Sequence, residues 1–195
     1  MSARCISILR RITILAFTLP LVLGLAACGK KDHPQVADAD GTAASGFYVD
    51  AGPVTYQVQL SRELNPYSQE DAGYLAGVSA PPPKPDEEWF AVFMWAKNQT
   101  ASDQTTTNSF DLIDTAGNKY YPVALNPQLN PYAWSAQTLK PAATQPASDT
   151  TASFGPTQGQ ELLFKINSTA YTNRPLTLEI HATGQATPAL VSLDL

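Results

Sequence analysis

"EEWFAVFMWAKN", residues 87–98, decides the fold. In an extended chain successive side chains point to opposite faces. Trp89, Ala91, Phe93 and Trp95 therefore share one face, and Phe90, Val92, Met94 and Ala96 share the other. Both faces are apolar, so neither can be left to solvent. Such a strand belongs at the centre of a sheet, with one side against an opposing sheet and the other under a loop or helix. Trp89 and Trp95 read as core residues rather than as a ligand-stacking or membrane-inserting stripe.

The flanking segments alternate more simply. In residues 55–60, Tyr56, Val58 and Leu60 face one way and Thr55, Gln57 and Gln59 the other, the pattern of a half-buried strand. "SFDLIDTAGNKYYPVAL", residues 109–125, reads as a hairpin whose turn is Ala116-Gly117-Asn118, with Asp114 and Asn118 as capping residues. Further strands are expected at 161–166, 175–181 and 189–195, with a weak one at 150–154. One short helix is expected at 68–75, where Ser68 and Asp71 have the spacing of a capping box. Short strands, proline-rich turns and no long helix predict an all-β, immunoglobulin-like antiparallel β-sandwich of about seven strands.

The N-terminus carries a different signal. Arg4, Arg10 and Arg11 precede an apolar run over 12–23, too short for a stable membrane span. Leu25-Ala26-Ala27-Cys28 follows. This order resembles the bacterial lipoprotein signal, and the resemblance implies cleavage before Cys28 and diacylation of its sulfur. Residues 1–27 are then a signal peptide, 28–46 a flexible polar tether that includes a solvated His33, and 47–195 the folded domain. Two or more acyl chains on Cys28 anchor a protein stably to a membrane. Gly29 stands where an Asp would retain the protein at an inner membrane. The expected location is therefore the cell envelope, extracytoplasmic: the outer membrane where the organism has one, otherwise the outer face of the plasma membrane.

Charge and cysteine content exclude several functions. The chain has 12 basic and 17 acidic residues, and loss of the signal removes three basic ones, leaving a net charge of −8. A chain this acidic has no electrostatic footprint for nucleic acid, and no basic patch for anionic lipids. Of its 2 cysteines, Cys5 leaves with the signal and Cys28 is acylated, so no disulfide is expected. No cofactor or metal set is visible: the folded part offers His181 alone, no Cys and one Met. His181 is also the one candidate base for a nucleophile, and no G-x-S-x-G motif accompanies it. Asp86-Glu87-Glu88 reads as a solvated lead-in to the central strand.

One tetrapeptide occurs twice, as Leu64-Asn65-Pro66-Tyr67 and Leu129-Asn130-Pro131-Tyr132, with Leu125-Asn126-Pro127 as a partial third copy. The sequences around the copies share no period, so the motif reads as turn chemistry: Pro opens a turn and the Asn side chain bonds the backbone beyond it. Alternating strand directions place the two full copies at opposite poles. Around the first copy, Arg62, Glu63, Asn65, Tyr67, Glu70, Asp71 and Tyr74 crowd into one insertion ahead of the stiff Pro81-Pro82-Pro83-Lys84-Pro85 run. They are the candidate partner-binding surface.

From Trp89 to Ile180 the pattern resembles a family of exported bacterial immunoglobulin-like domains of unknown function, typified by a mycobacterial immunoprotective secreted antigen. "WFAVFMWAKNQT", "FDLIDTAGNKYYP", "LKPA" and "ELLFKI" carry the likeness. Where that family usually has Pro-Gly, this chain has Pro141-Ala142. The resemblance implies a sandwich outside the cytoplasm, no enzyme activity and no transferred site residues. The expected function is a lipid-anchored, non-catalytic module that binds an envelope component or exported protein. The alternative is a small-ligand-binding accessory lipoprotein of a transporter, with a deep apolar pocket between its sheets.

Overall fold

A computed structural model describes residues 31–37 and 48–193; the expected signal peptide, the expected lipidation at Cys28 and the last two residues lie outside them. The strands among the described residues are β1 (Val36–Ala37), β2 (Tyr48–Ala51), β3 (Val54–Leu64), β4 (Glu87–Asn98), β5 (Gln104–Thr105), β6 (Phe110–Ile113), β7 (Lys119–Tyr120), β8 (Pro122–Val123), β9 (Thr138–Leu139), β10 (Thr144–Gln145), β11 (Gln160–Asn167), β12 (Leu176–Ile180) and β13 (Ala189–Leu193). One sheet runs β2-β3-β4-β11-β8, and the other β1-β13-β12-β6-β7. Lettering β3, β4, β6, β8, β11, β12 and β13 as A to G turns these orders into A-B-E-D and G-F-C, the constant-type immunoglobulin arrangement. The chain changes sheets between β7 and β8, within one residue of Tyr121.

β4 is central, as its two apolar faces require. Its antiparallel partners are β3 on one side and β11 on the other, where β10 continues the pairing along Ala96 and Lys97. Phe90, Val92 and Met94 face Phe164, Leu112, Leu178 and Val191 in the core between the sheets. Trp89, Ala91 and Phe93 lie on the outside of the sheet, where Leu64, Tyr74 and Leu163 join them and Leu75, Val78, Leu125 and Tyr132 pack over them. The cover comes from two loop segments, one after β3 and one after β8. Trp95 is half-buried and belongs to neither cluster. Trp134 packs on Tyr56 and edge-on to Phe110.

The helix expected at 68–75 does not form; those residues make successive turns. Asp71, instead of capping a helix, accepts from the Arg62 guanidinium at 2.6 Å and from the Asn65 N–H at 2.9 Å. The helix appears at α1 (Thr151–Phe154), where a weak strand was expected. There the Ser153 hydroxyl donates to the carbonyls of Ser148 and Thr150, local bonds that compete with a ladder.

Each Asn-Pro copy is the same turn. The Asn65 side-chain oxygen accepts from Tyr67 N–H, that of Asn126 from Gln128, and that of Asn130 from Tyr132, each at 2.9 Å. The opposite-pole placement is corrected: Leu64 of the first copy and Tyr132 of the second contribute to one cluster. Both loops fold back over the same sheet face, because the outer side of β4 needs covering.

Residues 31–37, read from composition as tether, lie along the edges of both sheets. β1 pairs in parallel with β13. The Asp50 N–H donates to the Pro34 carbonyl at 3.1 Å, and the Leu190 N–H to the Gln35 carbonyl at 2.8 Å. Unpaired edge groups accept any backbone, so polar side chains do not prevent docking.

The Pro141-Ala142 departure has a backbone consequence. Ala142 sits at φ 64°, in the left-handed region. That conformation costs an L-residue roughly 1–2 kcal/mol, whereas Gly enters it freely but loses more entropy on folding. Ala142→Gly is expected to raise stability by about 0.5–1 kcal/mol in urea titration of the signal-free chain. In the same titration Phe164→Ala, at 0% exposure, should cost about 3–5 kcal/mol. Tyr121→Ala, at 64% exposure, should stay within about 0.5 kcal/mol.

Candidate functional site

The anticipated surface divides into a buried frame and an exposed rim. Asp71 (5% exposed) and Tyr74 (4%) belong to the frame. The Tyr74 ring meets Phe93 edge-on at 5.0 Å and Tyr132 at 4.7 Å, and the Arg62 guanidinium lies 5.7 Å above it. The Arg62 hydrogen bond, helped by the Asn65 N–H and opposed by burial, holds the Asp71 carboxyl below its usual range. The same bond raises Arg62. These contacts pin the insertion to the sheet, so the residues that project from it stand on a fixed base. Glu70 is exposed and does not line the groove described next.

Glu63, Asn65 and Tyr67 line a groove of about 620 Å³ whose other wall is Pro82, Pro83, Lys84 and Pro85, with Glu87, Glu88 and Trp89 at the start of β4. Tyr67 is 96% exposed at its lip. Trp89 is held from behind by Lys165, whose Nζ lies 5.1 Å from the ring centre and donates to the Pro81 carbonyl at 2.6 Å. The proline run is thereby tied to β11 and forms a wall rather than a free strap.

The reading of Asp86-Glu87-Glu88 as solvated is corrected in part. Glu87 and Glu88 are half-buried, because β4 begins there and pairs with Asn167 and Ile166. The Tyr171 hydroxyl donates to Glu63 at 2.9 Å. Burial raises the Glu88 carboxyl; Tyr171 lowers it again, and the neighbouring Glu63 adds to the rise. The groove lining thus joins three carboxylates and one ammonium, that of Lys84, to proline and aromatic surface. It suits a cationic group next to an apolar one. Glu88 was not visible as a groove residue in sequence; it arrives by the pairing of β4 with β3, and Tyr171 reaches Glu63 from the turn after β11.

Beneath the two loops lies Glu161, 1% exposed. Its Oε2 accepts from the Asn130 amide at 3.2 Å, and that amide also donates to the Tyr74 carbonyl at 2.7 Å. Its Oε1 has no partner among the described residues. Burial pushes this carboxyl up to about 8, with Asn130 and the Arg62 charge pulling it down and Asp71 raising it. The Asn130 amide, braced by this buried carboxyl, therefore ties the second Asn-Pro turn to the first insertion.

His181 lies on the other sheet. Its Nε2 is 3.3 Å from Asp111 and 3.5 Å from Glu179, and Lys119 bridges the same two carboxylates at 3.3 and 3.5 Å. The ring nitrogen meets carboxylates rather than a hydroxyl, so the geometry is a charge cluster and not a nucleophile–base pair. The three acceptor groups are near enough to hold a cation, but the Lys119 ammonium already stands between the two carboxylates. At the 114–118 turn, Asp114 accepts from the Ala116 and Asn118 N–H groups and the Asn118 and Asn173 amides. Burial would raise it, yet these bonds hold it low, which is turn capping.

Neither a protein-family model nor a curated protein matches the sequence. Among solved structures, the yjhA protein of Bacillus subtilis superposes with a TM-score of 0.51 at 15% identity, over 75% of this chain and 96% of its own. A candidate lipoprotein of Bacillus subtilis, ycdA, gives 0.47 at 10% identity, over 77% of this chain and 39% of its own. A β-sandwich protein of Clostridium difficile 630 gives 0.40 at 11% identity, over 85% and 97%. At 15% identity the likeness to yjhA is one of fold and assigns no residue a role. Among the described residues no helix is long and apolar enough to cross a membrane.

Glu161 makes the loop layer sensitive to pH. Its carboxyl is protonated in the folded chain up to about 8 but ionises near 4.5 once unfolded. Stability from this group is complete below 4.5 and falls by about 1.4 kcal/mol per pH unit as pH rises toward the folded value. Glu161→Gln, which stays neutral, should melt close to the parent at pH 4.5 and clearly above it at pH 8, by thermal unfolding at both.

Proposed function

We propose that this chain is a lipid-anchored, non-catalytic, immunoglobulin-like envelope protein. It binds an exported protein or envelope component through the groove between the first Asn-Pro turn and the proline run. The observation that carries the reading is the groove itself: about 620 Å³, rigid on both walls, with Tyr67 fully presented beside Glu63, Glu87 and Glu88. Exposed aromatic surface on a braced loop is the composition of an interface centre rather than of a core. The carboxylates favour a partner that offers Lys or Arg flanked by apolar groups.

Two features weigh against the small-ligand alternative. The space between the sheets is filled by Phe90, Met94, Phe110, Phe164 and their neighbours, which leaves the expected deep apolar pocket without room. The groove is open and lined by prolines and acids. Anchoring at Cys28 rests on the order of basic start, apolar run and Leu-Ala-Ala-Cys, and places the groove outside the cytoplasm.

A photo-crosslinking residue at Tyr67 in the full chain, expressed in cells, tests the reading. One dominant captured partner is expected. Tyr67→Ala or Glu63→Gln should weaken binding of that partner about tenfold, the loss of roughly 1.4 kcal/mol, while His181→Ala on the other sheet leaves it unchanged. Capture of many proteins in proportion to their abundance would remove the binding-module reading.

A further inference from the structure

The sandwich has two ends, and the docked N-terminal segment distinguishes them. β3 has 11 residues, so about 33 Å separates its Val54 end from its Leu64 end. The candidate groove is at the Leu64 end. Residues 31–33 are fastened at the Val54 end. The Lys31 N–H donates to the Gln99 side chain at 3.2 Å. The His33 N–H donates to Asp50 at 2.9 Å, its ring nitrogen lies 3.3 Å from the same carboxylate, and the ring stacks on Tyr48 at 5.4 Å. The Thr55 hydroxyl completes the anchorage, donating to Asp50 at 2.6 Å and accepting from the Gln99 amide at 2.8 Å.

Gly29 and Lys30 alone separate Cys28 from Lys31, a reach of about 11 Å even fully extended. Acyl chains on Cys28 therefore hold the Val54 end against whatever surface they enter. We propose that this end, with its 99–103 and 140–143 loops, rests on the phospholipid headgroups of the anchoring bilayer and turns the 63–89 groove away from it. The proposal rests on the lipid-anchor reading of Cys28.

The chemistry of this end agrees. A cavity of about 390 Å³ opens between the docked segment and the sheet, lined among others by Lys31, Lys97, Trp95, Tyr48, Gln57 and Gln99. The indole Nε1 of Trp95 is buried without a hydrogen-bond partner among the described residues. Two ammonium groups and a spare N–H donor suit a headgroup phosphate, and Trp and Tyr favour the membrane interface. The chain's net acidity does not oppose this, because the acyl chains supply the attachment and the surface need only set orientation. Of the acidic groups at this end, Asp103 pairs with Lys140 at 2.6 Å and Asp50 accepts from the His33 N–H and the Thr55 hydroxyl, while repulsion from those farther away is screened within about 8 Å at physiological salt.

The mature chain keeps no reactive thiol once Cys28 is acylated, so single cysteines can report position. The test uses the lipidated protein carrying Ala101→Cys or Tyr67→Cys, both exposed positions, each labelled with a fluorophore. Each is placed in vesicles of phosphatidylethanolamine and phosphatidylglycerol, with and without a nitroxide-headgroup lipid. The expected result is loss of fluorescence at position 101 and none at 67. Equal quenching at both, none at either, or quenching at 67 alone overturns the orientation. Mass measurement of the N-terminal peptide separates the two ideas. An unacylated Cys28 overturns the anchor reading and this one with it, whereas an acylated Cys28 with equal quenching overturns only the orientation.

Discussion

The two-sided burial of β4 is the constraint on which the rest of the structure depends. A strand with Phe90, Val92 and Met94 on one face and Trp89, Ala91 and Phe93 on the other cannot be satisfied by a sandwich alone. The opposing sheet covers the first face. The second needs a layer that an ordinary immunoglobulin-like domain lacks, and this chain supplies it from the loops after β3 and β8. Tyr74 meets Phe93 below it and Tyr132 of the other loop, and the Val78–Leu125 bridge joins the two loops along their backbones.

The loop layer explains why polar groups are buried where they are. A loop laid across a sheet brings backbone carbonyls and N–H groups out of water, and each requires a partner. Asn130 satisfies the Tyr74 carbonyl and Asp71 the Asn65 N–H. Glu161 is the residue least well served, with one oxygen unpaired, and it resolves the conflict by holding its proton. The Asn-Pro repeat is thus one local device used three times, and in the second copy the Asn130 amide also makes buried bonds to Tyr74 and Glu161.

The same layer makes the exposed groove rigid. Tyr67 projects from a turn whose base is an ion pair and a stacked tyrosine, and the facing proline wall is tied to Lys165. At the other end of β3 the chain's first described residues are fastened to Asp50 and Gln99. The docked N-terminal segment and the groove occupy opposite ends of one strand pair, the arrangement that the proposed anchoring and partner binding would use.

Strand identity was legible in the sequence because it depends on side-chain alternation, a property of adjacent residues. The residues at 55–60, 87–98, 110–113 and 161–166 declare themselves in this way, and so does the 114–118 turn through Asp114 and Gly117. The Asn-Pro turns were legible for the same reason, since an Asx turn closes within three residues. What only the tertiary structure decided depends on partners distant in the chain. Asp71 was spaced to cap a helix but is taken by Arg62 across the insertion. Residues 150–154 had strand composition but found local bonds instead of a neighbouring strand. Residues 31–37 were polar enough to be a tether yet met two open sheet edges. The groove is the clearest case: Glu63 and Tyr67 come from one segment and the proline run, Glu87 and Glu88 from another, and the pairing of Leu64 with Trp89 sets the two side by side. Local alternation is written in consecutive residues, whereas the competition for backbone and carboxylate partners is settled only when every segment is present.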